Sequence, residues 1–262
     1  MTGVLRPAFI GLLAWVSPAW AQRPSSVDAG AVVEKSRQKA LDYARSLPDF
    51  VCTEVISRSY DIGQREEWIA ADKLTIKLSY FQQKEEHKLV LIDGKPADRS
   101  YEDLEGATGA GEFGGALQGI FDPASQTAFR WESWKVVRRH RVAVYAYAVP
   151  AAHSRYLMVT GGHGAAHKAM VEYNGKLDLD AETGEVLHFT YMTGRLPKDL
   201  SLDYVRNSVD YDFAEVGGSE YLLPARSETE LHAPGQSRRN QIDFREYRKF
   251  SADSTITFGP RK

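Results

Sequence analysis

After Pro48 the hydrophobic period of this chain changes from about four residues to two, and it stays at two for most of the remaining length. In "KLTIKLSY", Leu74, Ile76, Leu78 and Tyr80 alternate with Lys73, Thr75, Lys77 and Ser79; "GKLDLD" and "VDYDF" alternate in the same way, with Leu177 and Leu179, then Val209, Tyr211 and Phe213, on the apolar side. Clean alternation means one buried face and one wet face, which is the habit of antiparallel sheets. Turn signals lie between the strand-like runs: "QQKEE" (82–86), "DAETGE" (180–185), "EVGGSE" (215–220) and "HAPGQS" (232–237). Few helical segments interrupt them, whereas a parallel sheet would need a crossover between most strands. "RVAVYAYAV" and "KLVLID" are apolar on both faces and are expected to be central strands covered by a helix.

Before Pro48 the pattern is helical from Val27 to Leu47. Val33, Ser36, Ala40, Ala44 and Leu47 recur at three or four residues, Ser26 can cap the start, and Pro48 stops the helix. The first 21 residues have the layout of a secretory signal peptide: Arg6, an apolar run from Ala8 to Val16, Pro18, then Ala19-Trp20-Ala21, with cleavage expected after Ala21. Residues 22–26 read as a linker and 27–262 as one antiparallel-sheet domain. The apolar runs are too short for a transmembrane segment, so a soluble protein outside the cytoplasm, periplasmic or extracellular, is expected. A net charge of −2 argues against nucleic acid as the main partner, since that needs a basic face. The basic runs "VVRRHR" (136–141) and "QSRRNQ" (236–241) read as solvated hairpin turns. Cys52 is the one cysteine, so no internal disulfide forms, and its strand parity with Ile56 and Tyr60 makes it a buried hydrophobe.

Several motifs carry possible chemistry. Gly109, Gly111 and Gly114 spell G-x-G-x-x-G, but a polar segment precedes them where a dinucleotide site needs a buried strand. They read as a flexible loop feeding a short helix, stopped at Asp122-Pro123, that plugs or lids the sheet with Phe113, Leu117 and Phe121 as anchors. His163 and His167 stand four apart, a metal-binding spacing on a helix, with only His153 or Glu172 to complete it. The flanking glycines favour an exposed loop. "DLDAETGE" does not keep calcium-loop spacing and reads as a turn closed by Gly184. There is no G-x-S-x-G, and no spacing links a serine to a histidine and a carboxylate. No cofactor, metal ligand or catalytic residue is assigned. The aromatics Trp131, Tyr145, Tyr147 and Phe189 share strand parity, as ordinary core does, and as the wall of an apolar concavity does.

The stretches "SLPDFVCTEV", "LSYFQQKEEHKLVLIDGKP", "GEFGGALQGIFDPAS", "FRWESW", "LDLDAETGEV", "YDFAEVGGSEYLLPARSE" and "YRKFSADSTITF" resemble a group of exported bacterial proteins that carries no assigned activity. More distantly, the layout is similar to the lipoprotein-carrier and lipoprotein-localisation (LolA-like) superfamily, and the Asp180-to-Phe189 turn and strand are similar to theirs. That resemblance implies a signal peptide, an N-terminal helix and a curved antiparallel half-barrel closed over by short helices. The expected fold is therefore mainly β (α+β): a curved, half-barrel-like antiparallel sheet with an N-terminal helix and one or two short helices. The expected function is non-catalytic binding of a hydrophobic ligand, lipid or lipidated partner. Phe113, Leu117 and Phe121 would form its lid, with Trp131, Tyr145, Tyr147 and Phe189 in its wall. An envelope interaction or scaffold domain without a cavity, and a hydrolase using His163 and His167, stay open beside it, as does the oligomeric state.

Overall fold

The computed structural model describes residues 26–101, 104, 111–160 and 167–250. The signal peptide and residues 22–25 of the linker in the sequence reading lie outside them, while Ser26, read as the end of the linker, is the first residue of α1. Helix α1 spans Ser26–Ser46 and ends two residues before Pro48. Strands β1 (Phe50–Ile62), β2 (Ile69–Phe81), β3 (Lys84–Ile92) and β4 (Lys95–Pro96) follow, then helix α2 (Gly115–Phe121). Next come β5 (Ala128–Val137), β6 (His140–Val149), the short β7 (Leu157–Thr160) and β8 (His167–Met170), and β9 (Tyr173–Asp180). The chain continues through β10 (Val186–Thr193), β11 (Tyr204–Val216), β12 (Ser219–Ala233) and β13 (Gln236–Lys249). Eleven strands form one open, curved antiparallel sheet in the order β4-β3-β2-β1-β13-β12-β11-β10-β9-β6-β5, and β7 with β8 makes a separate hairpin.

Tight turns explain most of the neighbours. Asp93-Gly94 and Gly217-Gly218 both take the left-handed conformation at two successive residues, the two-residue turn whose twist matches that of the flanking strands. Gln82-Gln83 and Arg138-Arg139 adopt the same geometry without glycine. Gly235 has φ 80° in the β12–β13 turn. Because Pro234-Gly235 completes that turn, the basic run 236–241 is not a hairpin tip: it starts β13, with Arg239 opposite Ser59 and Glu230 and its guanidinium 4.2 Å above the Trp68 ring. The two doubly apolar strands also differ from expectation. β3 and β6 each lie one strand in from a ragged sheet edge rather than at the centre. A side chain, not a helix, covers the outer face of β6: Lys135 on β5 reaches across Val142 and Val144 to Asp178 on β9, Nζ to Oδ2 2.5 Å.

Two large apolar cores lie on the concave face, beside a smaller cluster of Met158, Val171, Leu196, Leu200 and Val205. One gathers Ala29, Val32 and Ala40 of α1 and Leu117, Ile120 and Phe121 of α2 against Tyr145, Leu177, Phe189, Val209 and Tyr211. The other packs Phe50, Cys52, Ile76, Leu78 and Tyr80 with Phe113, Leu223 and Phe244. The glycine run enters α2 as the sequence implied. Gly114 caps it with φ 113°, and a Cβ there would stand 2.9 Å from the Ala44 Cβ of α1. Only glycine fits both the conformation and the approach.

Replacing Gly114 with alanine should therefore cost about 2–4 kcal/mol, the sum of left-handed strain and overpacking, read as a lower urea midpoint at unchanged m-value. Cys52 is 1% exposed, and burial, reinforced by Glu54, pushes its thiol far above the ordinary range. The native protein should resist iodoacetamide at pH 8 and take up one equivalent only after unfolding in guanidinium; rapid native labelling would overturn the placement.

Candidate functional site

The sheet has a split. β10 pairs with β11 from Met192–Arg206 to His188–Asp210, and there the pairing stops. β11 continues to Val216 on the side of β12, while the chain before His188 turns toward α1. The sequence "DAETGE" sets this up. Asp180 Oδ1 accepts the backbone N–H groups of Glu182 (2.7 Å) and Thr183 (2.9 Å), Gly184 takes φ 80°, and Lys35 of α1 donates to the Glu182 carbonyl. The β9–β10 turn is thus tied to the helix and drawn away from β11.

Two concavities meet at the split. On the α1 side, a cleft of about 190 Å³ is lined by Tyr43, Leu117, Val186, Leu222 and Phe213, with Lys39 and Glu185 beside them. On the other side, a pocket of about 340 Å³ combines Leu187, Tyr211, Phe213 and Leu222 with Lys135, Arg138, His188 and three aspartates. Phe213 and Leu222, paired across β11 and β12, line both. Phe213 is 39% exposed, an unusual position for a large aromatic that shares strand parity with buried Tyr211.

The expected lid and wall residues are placed as follows. Leu117 forms the base of the cleft. Phe121, Tyr145, Tyr147 and Phe189 are buried in the same core, and the Tyr147 hydroxyl donates to the Thr190 carbonyl at 3.0 Å. Phe113 belongs to the other core, its ring 5.2 Å from Phe50 and 5.7 Å from Phe244. Trp131 is half-buried. A bulge at Glu132 brings Trp134 to the same side, so the two indoles lie 6.4 Å apart although their spacing is three residues. The Nε1 atoms of both tryptophans and the Tyr145 hydroxyl are buried with no hydrogen-bond partner among the described residues. Unmade bonds at buried donors cost about 1–3 kcal/mol each.

Tyr43, Val186, Phe213 and Leu222 escaped the sequence reading. Phe213 was visible as a strand alternation, but nothing local says that its neighbouring strand stops short of it.

A second feature was equally silent. On the concave side of β1 and β3, Glu54 is buried with His87, Nε2 to Oε1 3.6 Å, and the His87 ring stacks on Tyr101 at 5.1 Å. Glu112, also buried, accepts the Ser227 hydroxyl at 3.1 Å, and its carbonyl accepts the Tyr211 hydroxyl at 2.7 Å. Burial raises the Glu112 carboxyl; burial and the Glu112 charge push Glu85 up to about 7. Among the described residues no three His, Cys, Asp or Glu side chains gather as a metal site. His167 opens β8 rather than lying on a helix, 3.6 Å from Asp199, and His163 is outside the described residues.

No protein-family model matches the chain, and no curated protein sequence matches it. Among solved structures it is similar to a LolA superfamily protein from Nitrosomonas europaea, at 10% identity and TM-score 0.41, over 85% of this chain and 94% of that one. It is similar also to a DUF1329 family protein from Desulfovibrio piger, at 13% identity and TM-score 0.41, over 84% and 94%. A third is a Vibrio parahaemolyticus domain assigned to outer membrane lipoprotein sorting, at 10% identity and TM-score 0.35, over 84% and 92%. These likenesses concern the fold alone and say nothing about a ligand. No helix among the described residues is long and apolar enough to cross a membrane.

The buried carboxyls make a pH test. A Glu85 carboxyl raised from 4.5 to about 7 in the native state favours folding below the unfolded value and opposes it increasingly as pH rises toward 7. Glu85→Gln should stabilise by roughly 1–2 kcal/mol at pH 8, allowing for its partial solvent contact. The gain should vanish below about pH 4.5 in urea titrations at both pH values; a pH-independent effect would refute the assignment.

Proposed function

We propose that this is an exported soluble protein, released by cleavage after Ala21, that binds the apolar part of an amphiphile without catalysis. The ligand is a lipid or the lipid moiety of a lipidated partner. One observation carries this reading: the β10–β11 split leads from a half-exposed Phe213 directly to Leu117 on α2, so an apolar chain has a route to the concave core. α2 is two turns long, with glycines at its start and at Gly119, and packs on α1 through Gly114. Such an element can shift as a unit. In this reading Leu117 and Phe121 are the moving part of the lid, Phe113 is its fixed anchor in the neighbouring core, and Trp131, Tyr145, Tyr147 and Phe189 form the wall. The unpartnered indole and phenol donors of Trp131, Trp134 and Tyr145 would bond an ester or amide carbonyl near the head of the chain.

A second reading has its own support. In the described state the concave face is filled by α1 and α2, as an interaction domain without a cavity would be. Native mass spectrometry of the mature protein, followed by organic extraction, separates the two. A bound lipid of defined mass is expected, and Leu222→Trp, which fills the cleft, should cut its occupancy about tenfold, measured below the melting transition that overpacking of this buried position lowers. A clean apo mass, together with no uptake of added lysolipid, would establish the scaffold reading instead.

A further inference from the structure

The pocket on the outer side of the split has a charge pattern that the apolar cleft does not explain. Lys135, Arg138 and two histidines, His140 and His188, each pair with an aspartate across a strand or turn there, and three of those aspartates, Asp178, Asp210 and Asp212, line the pocket. Lys135 Nζ is 2.5 Å from Asp178 Oδ2, Arg138 Nη1 2.5 Å from Asp212 Oδ1, His140 Nδ1 2.5 Å from Asp180 Oδ2, and His188 Nδ1 2.7 Å from Asp210 Oδ1. Both histidines engage their aspartate through Nδ1, which leaves Nε2 on the opposite edge of the ring. Asp178 and Asp180 are buried, whereas Arg138, Asp210 and Asp212 are about half exposed. The pocket therefore has a fixed inner layer and a rim of pairs that can open.

We infer that this pocket receives the zwitterionic headgroup of the amphiphile, phosphate toward Arg138 and His188 and ammonium toward Asp210 and Asp212, while its chain passes Phe213 and Leu222 into the cleft. The inference rests on the lipid-binding reading and adds the headgroup class to it. The sign balance selects a zwitterion. A purely anionic group on Arg138 and His188 would draw them from Asp212 and Asp210 and leave both carboxylates unpaired beside it, and like charges at such range repel. A group carrying both signs exchanges the rim pairs one for one. Its length also suits the site, because Phe213 and Leu222 border both concavities. The backbone agrees. Arg138 and Arg139 hold φ of 47° and 72° in a two-residue turn that ordinarily uses asparagine and glycine. That strain is sustained where Arg138 also reaches the Tyr211 carbonyl, at 3.4 Å.

The test uses three lysolipids of equal chain length with the mature protein: lysophosphatidylethanolamine, lysophosphatidylglycerol and monoacylglycerol, followed by calorimetry. The zwitterion should bind at least about tenfold more tightly than either other lipid. Arg138→Gln combined with His188→Gln should reduce it to the monoacylglycerol level without changing monoacylglycerol affinity. These side chains lie on the surface side of the sheet, so circular dichroism and melting temperature should stay at wild-type values. Equal affinity for all three lipids would overturn the headgroup inference and leave chain binding standing. Preference for the glycerol-phosphate lipid would overturn the zwitterion and identify an anion site. Failure of all three to bind would overturn both this inference and the lipid-binding reading.

Discussion

An open sheet with an apolar concave face cannot stand bare in water, and the rest of this molecule depends on how α1 covers it. The helix does more than lay down Ala29, Val32 and Ala40. Its side chains donate to main-chain carbonyls on three other elements, Tyr43 to Leu222 of β12 at 2.8 Å, Arg37 to Phe121 of α2 at 2.9 Å and Lys35 to Glu182 of the β9–β10 turn, and its own Ala44 carbonyl accepts the Tyr80 hydroxyl of β2 at 3.0 Å. Carbonyl acceptors fix position more strictly than apolar contact, because a misplaced buried donor loses its bond outright. The Lys35 tie holds the β9–β10 turn beside the helix, next to the point where β10 stops pairing with β11.

How far this was legible in the sequence follows from the range of each interaction. Alternation in "KLTIKLSY" and the four-residue stripe through Ser36 and Ala40 are local, and both the strand and the helix stand where the pattern put them, with Ser36 and Ala40 buried. Gly114 was readable as a loop entering a helix. What local pattern cannot contain is where a pairing stops. Phe213 has the parity of a core residue, and only the absence of β10 beside it leaves it exposed. The basic run at 236–241 failed for a related reason: the turn chemistry was complete at Pro234-Gly235, and the arginines already belonged to a strand. The placement of β3 and β6 near the edges shows that a doubly apolar strand needs a cover, and that a long lysine stem can serve as one.

The two halves of the concave face differ in kind. Beside β6, β9 and β10 the interior is apolar with a few unpartnered donors. Beside β1 and β3 it holds Glu54, Glu85, Glu112 and His87 next to Phe113 and Cys52. Glu112 sits one residue before Phe113 and bonds both β11 and β12. The segment that enters α2 is therefore fastened at its start by polar contacts, and α2 continues it with the apolar contacts of Leu117, Ile120 and Phe121.

The strand order has a kinetic corollary. Most neighbouring pairs are made by strands adjacent in sequence, but β6 meets β9 across the β7–β8 hairpin and β1 meets β13, so Phe50 lies opposite Lys249. The chain segment that β1–β13 pairing must close is nearly the whole described length, and such long-range closure is slow compared with hairpin formation. The half built from β1 to β3 can zip early, yet it has no neighbour on its β1 side until the last strand exists. A chain emerging from its N-terminus would thus carry Cys52 and its apolar neighbours uncovered throughout synthesis, and the buried thiol records when that exposure ends.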